Sequence, residues 1–409
     1  MNKTLKRIII SLTSIIIGLI LIIFITFFAV WHNEISSISS ISKLVDEHKE
    51  NRSAPVYLMD VKGGYYFDDY IEQGGASNDQ ELIDFIVDNL TKGIIPVTLN
   101  VPEIGCSSFT CNYDNTYYFG RNYDFSTTTA MIVRTNPKNG RYASISSVDL
   151  QFLGISNGKY LDSLMEKVIT LAAPYVPLDG INEKGVSCGI YMSYQGANDS
   201  TSTNQTTEKP DLTSTTMLRM ILDYADSVDK AIELVSQYDL HDSASTSFHY
   251  MVADSTGKSA ILEWVNATDD EDNDGSKREL KVYYNDKDYS VGEKEKQDNF
   301  QYVTNFIVTP NYYTNNDSKY GLDRYNKIQN MINPDGNNVN GVASKETALE
   351  VLKMVGRRNW DIVNGVSDGN GITVWSSLYD LTNKKVTWIS NEEFDNENSI
   401  FEFDFSYLK

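Results

Sequence analysis

A thiol with a bare residue on its amino side stands at Gly105-Cys106-Ser107-Ser108. Downstream, Gly120-Arg121-Asn122-Tyr123-Asp124-Phe125 sets a cation and an anion three positions apart. The thiolate is the reactive form of cysteine, and a nearby guanidinium lowers a thiol pKa, so the set has the makings of an activated nucleophile. The same residues admit two plainer readings. One is a buried, hydrophobe-like cysteine beside an ordinary surface ion pair; the other is a Cys106–Cys111 disulfide in an oxidising compartment. With three cysteines, four histidines and no Cys-x-x-Cys, neither a disulfide scaffold nor a zinc site is expected. Asp270, Asp272, Asp274 and Gly275 imitate the start of a calcium loop, but its twelfth position is Lys281 where a glutamate belongs. A solvated acidic loop is the simpler reading, and no metal or cofactor is assigned. His249 opens an apolar strand and reads as a core or edge histidine; Cys188 reads as buried.

The elements that must position these residues follow from periodicity. The extended, Pro-containing stretch Ile94 to Glu103 leads into Gly105, and Tyr117 to Asn122 and Met131 to Arg134 read as strands with a turn at Asp114-Asn115. Ser77 to Gly93 reads as a helix with Ser77 and Gln80 as its capping box. Lys159 to Ala172 reads as another, with Leu161, Leu164, Met165, Val168 and Ile169 on one face. Asn198 to Lys209 is rich in Ser, Thr and Asn and is expected to be a mobile loop. Thr213 to Tyr238 holds two short helices that restart at Asp226-Ser227, and Ser344 to Val355 holds one more. Phe248 to Ala253 pairs with Ser259 to Val265, and Thr373 to Leu381 with Lys385 to Ile389. Short hairpins mixed with helices give an α+β class.

Gly105-Cys106-Ser-Ser-Phe-Thr-Cys111 followed by Phe119-Gly120-Arg121-Asn122-Tyr123-Asp124-Phe125 resembles the linear-amide hydrolases of the N-terminal-nucleophile class. These include choloylglycine hydrolases, penicillin V acylases and acyl-coenzyme A:isopenicillin N acyltransferase. Further stretches resemble the family in the same order: Asp179-Gly180-Ile181-Asn182-Glu183-Lys184-Gly185, Phe248 to Asp254 with Ser259 to Glu263, Val303-Thr304-Asn305 with Arg324-Tyr325, and Trp375 to Asp380. The resemblance implies an αββα sandwich that cleaves itself on the amino side of Cys106. The freed α-amine, with a reference pKa of about 7.7–8.0, then serves as base. It further implies that Arg121 favours the thiolate, Asp124 orients the amine, Asn305 donates its amide to the oxyanion, and Arg324 balances charge. The family carries an Asn where this chain has Met192. Cys111 lacks a preceding Gly and reads as a packed strand residue. Tyr312 and Tyr313 suit either a pocket wall or ordinary packing. The long segment before Cys106 resembles the branches whose propeptide stays on as a separate chain.

The net charge of −21, with no Lys/Arg-rich block beyond the first seven residues, argues against nucleic acid as a partner. Hydrophobic residues at 41% and aromatics at 11% are globular values. Ile8 to Trp31 carries no charge and follows Lys3, Lys6 and Arg7. At about 1.5 Å per residue it spans roughly 36 Å, more than a hydrocarbon core of about 30 Å. A cleaved signal peptide would be shorter, and Ala29-Val30-Trp31 does not offer the small residues of a cleavage site. The expectation is a single-pass cell-membrane anchor with the basic end in the cytoplasm and the rest outside. The chain divides into a tip and anchor over 1–33, a stalk and propeptide over 34–105, and a catalytic domain over 106–409. The expected activity is hydrolysis of a small acyl amide through a thioester on Cys106. An acyltransferase and a catalytically silent anchored binding domain are the alternatives.

Overall fold

The structure, a computed structural model, describes residues 3–46, 55–93, 105–125, 128–155, 160–193, 202–266, 274–287, 290–291, 294–295, 299–314, 317–333, 342, 344–357 and 372–408. The chain opens with α1 (Lys3–Ser39), β1 (Ser42–Val45), β2 (Val56–Val61), α2 (Phe67–Glu72) and α3 (Asp79–Asn89). The hairpin β3 (Gly105–Tyr113) and β4 (Thr116–Phe125) follows, then β5 (Ala130–Thr135), β6 (Ser144–Asp149), α4 (Leu164–Ile169), β7 (Asp179–Asn182) and β8 (Ser187–Met192). A small parallel pair, β9 (Asp211–Thr213) and β10 (Asp239–His241), brackets α5 (Ser214–Tyr224) and α6 (Val228–Val235). Next come β11 (Phe248–Ala253), β12 (Ser259–Asn266), β13 (Arg278–Tyr284), the short pair β14 (Ser290–Val291) and β15 (Lys294–Glu295), and β16 (Tyr302–Val303). The chain closes with α7 (Leu322–Ile332), α8 (Lys345–Val355), β17 (Ile372–Asp380), β18 (Lys385–Ser390) and β19 (Ile400–Asp404).

Two large sheets result, one ordered β1-β2-β5-β6-β7-β8-β11-β12-β13 and the other β16-β3-β4-β17-β18-β19. Side chains from one sheet reach the other directly. Tyr123 on β4 donates to Asp149 on β6 at 2.9 Å, Tyr191 on β8 donates to Ser108 on β3 at 2.6 Å, and Trp388 on β18 donates to Ser147 on β6 at 3.2 Å. Outside this stack, α5 and α6 pack on β7, β8 and β11, while α7 and α8 pack on β3, β4, β16 and β17. The layers therefore run α, β, β, α, as the family resemblance implies. Covering both faces of each sheet explains why β8 and β11 are buried at every position.

Local chemistry sets the boundaries. Asp114 and Asn115 both take positive φ, the backbone of a two-residue hairpin turn with the strands' own twist. Gly185 also has positive φ, and a Cβ there would lie 2.3 Å from the Leu381 carbonyl oxygen, so the β7–β8 turn requires glycine. The cap of α3 is one residue later than the sequence suggests. Asn78 accepts from the Glu81 amide at 3.0 Å, while Ser77 donates backbone and hydroxyl to the Glu81 carboxylate. The helix expected over Lys159 to Ala172 is shorter and tighter: α4 is capped by a Ser163–Glu166 box and gives way to a 3-10 stretch, Thr170–Tyr175, with Pro174 inside. Its Leu164 and Met165 are exposed rather than on the inner face. Within the loop expected to be mobile, the described residues 202–209 are tied down: Thr203 N donates to Asp242, Gln205 Nε2 to the Arg278 carbonyl, and Thr207 to Asp239. Asp270 and Asp272 of the calcium-like sequence lie outside the described residues, and Asp274 only accepts from Ser276 in a local turn.

Residues 34–45, read as a stalk, are the docked end of α1 and the edge strand β1. Ser37 Oγ accepts from the Lys62 amide at 2.8 Å, Ser40 Oγ accepts from the Asp60 amide at 2.9 Å, and Lys92 Nζ lies 3.0 Å from Glu34. The span read as crossing a membrane belongs to this same helix, whose Ser11–Ser39 portion is long and apolar enough to do so.

Asn182 closes the β7–β8 turn with four side-chain bonds, donating to the Leu222 and Ala225 carbonyls at 3.1 and 2.7 Å and accepting from the Lys184 and Val186 amides at 3.0 and 3.1 Å. Asn182→Ala strands these buried groups and is expected to cost about 2–4 kcal/mol. A lowered unfolding midpoint in detergent checks it; an unchanged midpoint would show that the turn holds without the side chain.

Candidate active site

β3 begins one residue before the candidate nucleophile. Gly105 stands opposite Asp124, and Cys106 opposite Tyr123, in the β3–β4 register. Cys106, Arg121 and Asn305 are fully buried, and Asp124 and Arg324 are buried to within 2%. All five residues singled out from the sequence thus meet around one backbone position. β3 supplies Cys106, β4 supplies Arg121 and Asp124, the segment after β16 supplies Asn305, and α7 supplies Arg324.

Arg121 and Asp124 do not pair with each other. An odd spacing on a strand sends two side chains to opposite faces. Arg121 points between the sheets, where Nη2 lies 3.4 Å from Cys106 Sγ and Nε donates to Asp179 at 2.9 Å. Its guanidinium also lies over the Tyr191 ring, 4.5 Å from the centroid. Asp124 points to the helical side, accepting from Arg324 Nη1 at 3.2 Å and from Thr373 Oγ1 at 2.6 Å. The surface-ion-pair reading is therefore overturned. So is the Cys106–Cys111 disulfide: all three cysteines are free. Five residues apart on one extended strand, their Cα atoms are roughly 17 Å apart, against about 6 Å for a bridge.

The backbone of Cys106 has its own receptors. Its N–H donates to Asn305 Oδ1 at 3.0 Å, and its carbonyl accepts from Arg324 Nη1 at 2.8 Å. Arg324 Nη2 also donates to Asn305 Oδ1 at 2.9 Å, which fixes the amide's orientation. Asn305 Nδ2 donates to the Met192 carbonyl at 2.8 Å. The position where the family carries an Asn thus contributes a backbone oxygen that holds Asn305. A Cβ at Gly105 would sit 3.1 Å from Asp124 Cβ, a tight contact to which Asp124 would have to yield by a few tenths of an ångström. Burial pushes the Cys106 thiol up to about 11; Arg121 and Arg324 pull it down and Asp124 pushes it further up. In the intact chain, burial outweighs the guanidinium that the sequence nominates as activator.

Three supporting residues escape a sequence reading. Asp179 is fully buried and accepts from Arg121 Nε, from Trp375 Nε1 at 2.9 Å and from the Tyr379 hydroxyl. Thr373 grips the second oxygen of Asp124. Glu263 accepts from the Val308 and Thr309 amides at 2.7 and 2.9 Å and from His249 Nδ1 at 3.0 Å. His249 bonds the Thr304 carbonyl at 2.9 Å, so the buried His–Glu pair pins the segment that carries Asn305. Asp179 and Glu263 each fall in a stretch that resembles the family, but no role was assigned to either from the sequence. Tyr313 packs in the same segment and accepts from the Ile307 amide at 2.8 Å. Among the described residues, no group of three His, Cys, Asp or Glu side chains is arranged to hold a metal ion.

Several solved structures are similar to the chain. A mutant of the conjugated bile acid hydrolase from Clostridium perfringens shares 16% identity at a TM-score of 0.45, covering 74% of this chain and 93% of that one. Penicillin V acylase from Agrobacterium tumefaciens shares 14% at 0.45, covering 74% and 86%. The Caenorhabditis elegans ortholog of N-acylethanolamine-hydrolyzing acid amidase shares 15% at 0.38, covering 68% and 93%. No curated protein sequence matches. The model of one family matches residues 106–321, more than half of the chain, and that match opens on the buried thiol itself. By this match the chain belongs to the linear amide C-N hydrolases, choloylglycine hydrolase family, and is a hydrolase of linear amide bonds.

Proposed function

We propose that the protein is a membrane-anchored, extracytoplasmic cysteine amidohydrolase that cleaves an acyl group from a small amine through a thioester on Cys106. The observation that carries this reading is the separate housing of the two functional atoms of one residue. Sγ faces Arg121, while the backbone nitrogen is held by Asn305 in a cage completed by Arg324 and Asp124.

Maturation comes first. Sγ attacks the Gly105 carbonyl carbon, the Gly105–Cys106 C–N bond breaks, and the nitrogen takes a proton to leave as the α-amine. Water then hydrolyses the resulting thioester, giving a Gly105 carboxylate and a free thiol. In turnover the α-amine takes the Sγ proton, and the thiolate attacks the substrate amide carbon. The ammonium returns the proton to the departing amine, and water releases the acyl group as its acid. Asp124 and Asn305 hold the amine, and Arg324 pairs with Asp124 at 3.2 Å. Arg121 stabilises the thiolate, and Asp179 holds Arg121 in place. The second hydrogen of Asn305 Nδ2 is the candidate oxyanion donor, worth roughly 3–4 kcal/mol.

The segment before Cys106 stays bound after cleavage. β2 runs parallel to β5 over Val56–Val61 and Ala130–Thr135, inside the large sheet. The anchor is α1, with Trp31 marking the outer interface, where aromatic side chains are favoured.

Mass analysis of the expressed protein should find a chain beginning at Cys106, carrying an acyl adduct during turnover; Cys106→Ala should remain whole. Because burial holds the intact-chain thiol near 11, the thiolate fraction, and with it the cleavage rate, should rise about tenfold per pH unit between pH 6 and 9. A fully folded wild-type chain that never cleaves would sink the reading. Arg121→Lys and Asp179→Asn should each lower kcat/KM by about 10²-fold in a folded protein, since a point charge does not replace a planar fork and an amide does not replace its anionic partner. Near-normal rates would remove the pair from the mechanism. Protease added to intact cells should digest the catalytic chain; its complete protection would place the domain on the other side of the membrane.

A further inference from the structure

Attack of a thiol on an amide drives negative charge onto the carbonyl oxygen, and a single side-chain hydrogen is a thin receptor for it. Beside Cys106 that receptor is already half committed. Asn305 Nδ2 spends one hydrogen on the Met192 carbonyl at 2.8 Å, while its Oδ1 accepts from the Cys106 amide and from Arg324.

The residue after Met192 is Ser193. It lies just past the end of β8, yet its N–H donates to the Ser247 carbonyl at 2.9 Å, which continues the Met192–Phe248 register with β11. The pleat therefore runs on through Ser193, and its side chain shares a face with Gly189 and Tyr191. That face looks into the gap between the sheets. The Tyr191 hydroxyl reaches Ser108 Oγ on β3, and a Cβ at Gly189 would lie 3.3 Å from Arg121 Cδ on β4. The opposite face is turned to α5, where Cys188 Sγ meets the Leu218 carbonyl. Cys106 Sγ enters the same gap from β3, 3.4 Å from Arg121 Nη2 and 3.8 Å from the Ile190 carbonyl. The stretch Ile190 to Met192 thus flanks the nucleophile, one carbonyl meeting the thiol and the other the amide of Asn305. Ser193 closes that stretch on the face that looks at the thiol's sheet. It is 5% exposed, and its buried hydroxyl has no hydrogen-bond partner among the described residues. An unpaired buried hydroxyl costs stability, and a donor that bonds only in the transition state has this look in the resting chain.

We propose that the Ser193 hydroxyl is a second oxyanion donor, a catalytic residue acting with Asn305 Nδ2 on the carbonyl that Cys106 attacks. This rests on the thioester reading above. As Sγ bonds to the carbonyl carbon, the C=O electron pair moves onto oxygen and is held by the O–H and N–H donors. It returns when the C–N bond breaks and the protonated amine leaves. Cleavage at Gly105 and turnover of substrate both pass through such an oxyanion on the one thiol, so the same hydroxyl serves both.

The test is Ser193→Ala and Ser193→Thr in the full chain in detergent, assayed on coumarin amides of short and long fatty acids, with every rate scored per chain that begins at Cys106. Ser193→Ala should lower kcat about 10²–10³-fold with little change in KM, and should slow the appearance of the cleaved chain. Ser193→Thr keeps the hydroxyl and should stay within several-fold of the wild type. Iodoacetamide alkylates Cys106 by displacing iodide from a saturated carbon, which builds no oxyanion, so its rate should be the same in all three proteins. Near-normal kcat in Ser193→Ala would overturn the proposal, and so would a loss of alkylation parallel to the loss of turnover, which would make Ser193 a packing residue. If Ser193→Ala never cleaves, Ser193→Thr decides: cleavage at the wild-type rate upholds the hydroxyl, and failure of both variants overturns it. Hydrolysis that persists after wild-type Cys106 is alkylated would overturn the thioester reading and this proposal with it.

Discussion

The site depends on one ion pair that crosses from sheet to sheet. Arg121 on β4 and Asp179 on β7 are both fully buried. A buried charge left without its partner costs about 3–5 kcal/mol, so neither side chain can leave without the other. Asp179 is further committed to Trp375 and Tyr379 on β17. The guanidinium is thereby clamped against the thiol, and the distance between the sheets at this point is set by the length of an arginine. A lysine in its place would lack the fork that binds carboxylate and sulfur together.

The pleat of β4 divides the chemistry. Its inner face, with Arg121 and Tyr123, looks at the cysteine side chain and the opposing sheet. Its outer face, with Asn122 and Asp124, looks at α7 and α8, where Asn122 donates to the Leu352 carbonyl at 2.9 Å. One strand therefore meets the sulfur on one face and, through Asp124 and Arg324, the backbone carbonyl of the same residue on the other. That division would suit the proposed double role of the residue, through its thiol and through its amine. It also crowds the bare residue before Cys106, where a Cβ would meet Asp124 Cβ at 3.1 Å.

Much of this was legible in the sequence, and for identifiable reasons. Cys106, Arg121, Asp124, Asn305 and Arg324 stood out because their types and order resemble a family pattern, and the hairpin turn at Asp114-Asn115 because both residues tolerate positive φ. The α+β class followed from short alternating runs. What was not legible depended on distance in space. Asp179, Thr373 and Glu263 lie far from Cys106 in the chain, and nothing local marks a carboxylate or hydroxyl as a clamp for another side chain. The docking of α1 was hidden for a similar reason, since the serines that fasten it read as a polar stalk until their backbone partners at Asp60 and Lys62 are seen. The shortened α4 shows tertiary structure overriding periodicity: Leu164 and Met165 fit an apolar stripe by spacing, yet the chain turns into a 3-10 stretch before that stripe can close on the core.

The parallel pairing of β2 with β5 has a consequence for the mature protein. Cleavage before Cys106 would leave the membrane helix on one polypeptide and the nucleophile on another, so attachment of the catalyst to the cell would become an equilibrium between two chains. Its dissociation constant would be set by the β2–β5 ladder, the Asp60–Arg134 and Asp68–Arg141 ion pairs, the Tyr65–Asp223 hydrogen bond and the apolar surfaces around them. Loss of the smaller chain would bare the edge of β5, an unpaired row of amides and carbonyls ready to recruit another strand. The anchored fragment would then act as a resident edge cover, guarding its partner against aggregation as well as fixing its address.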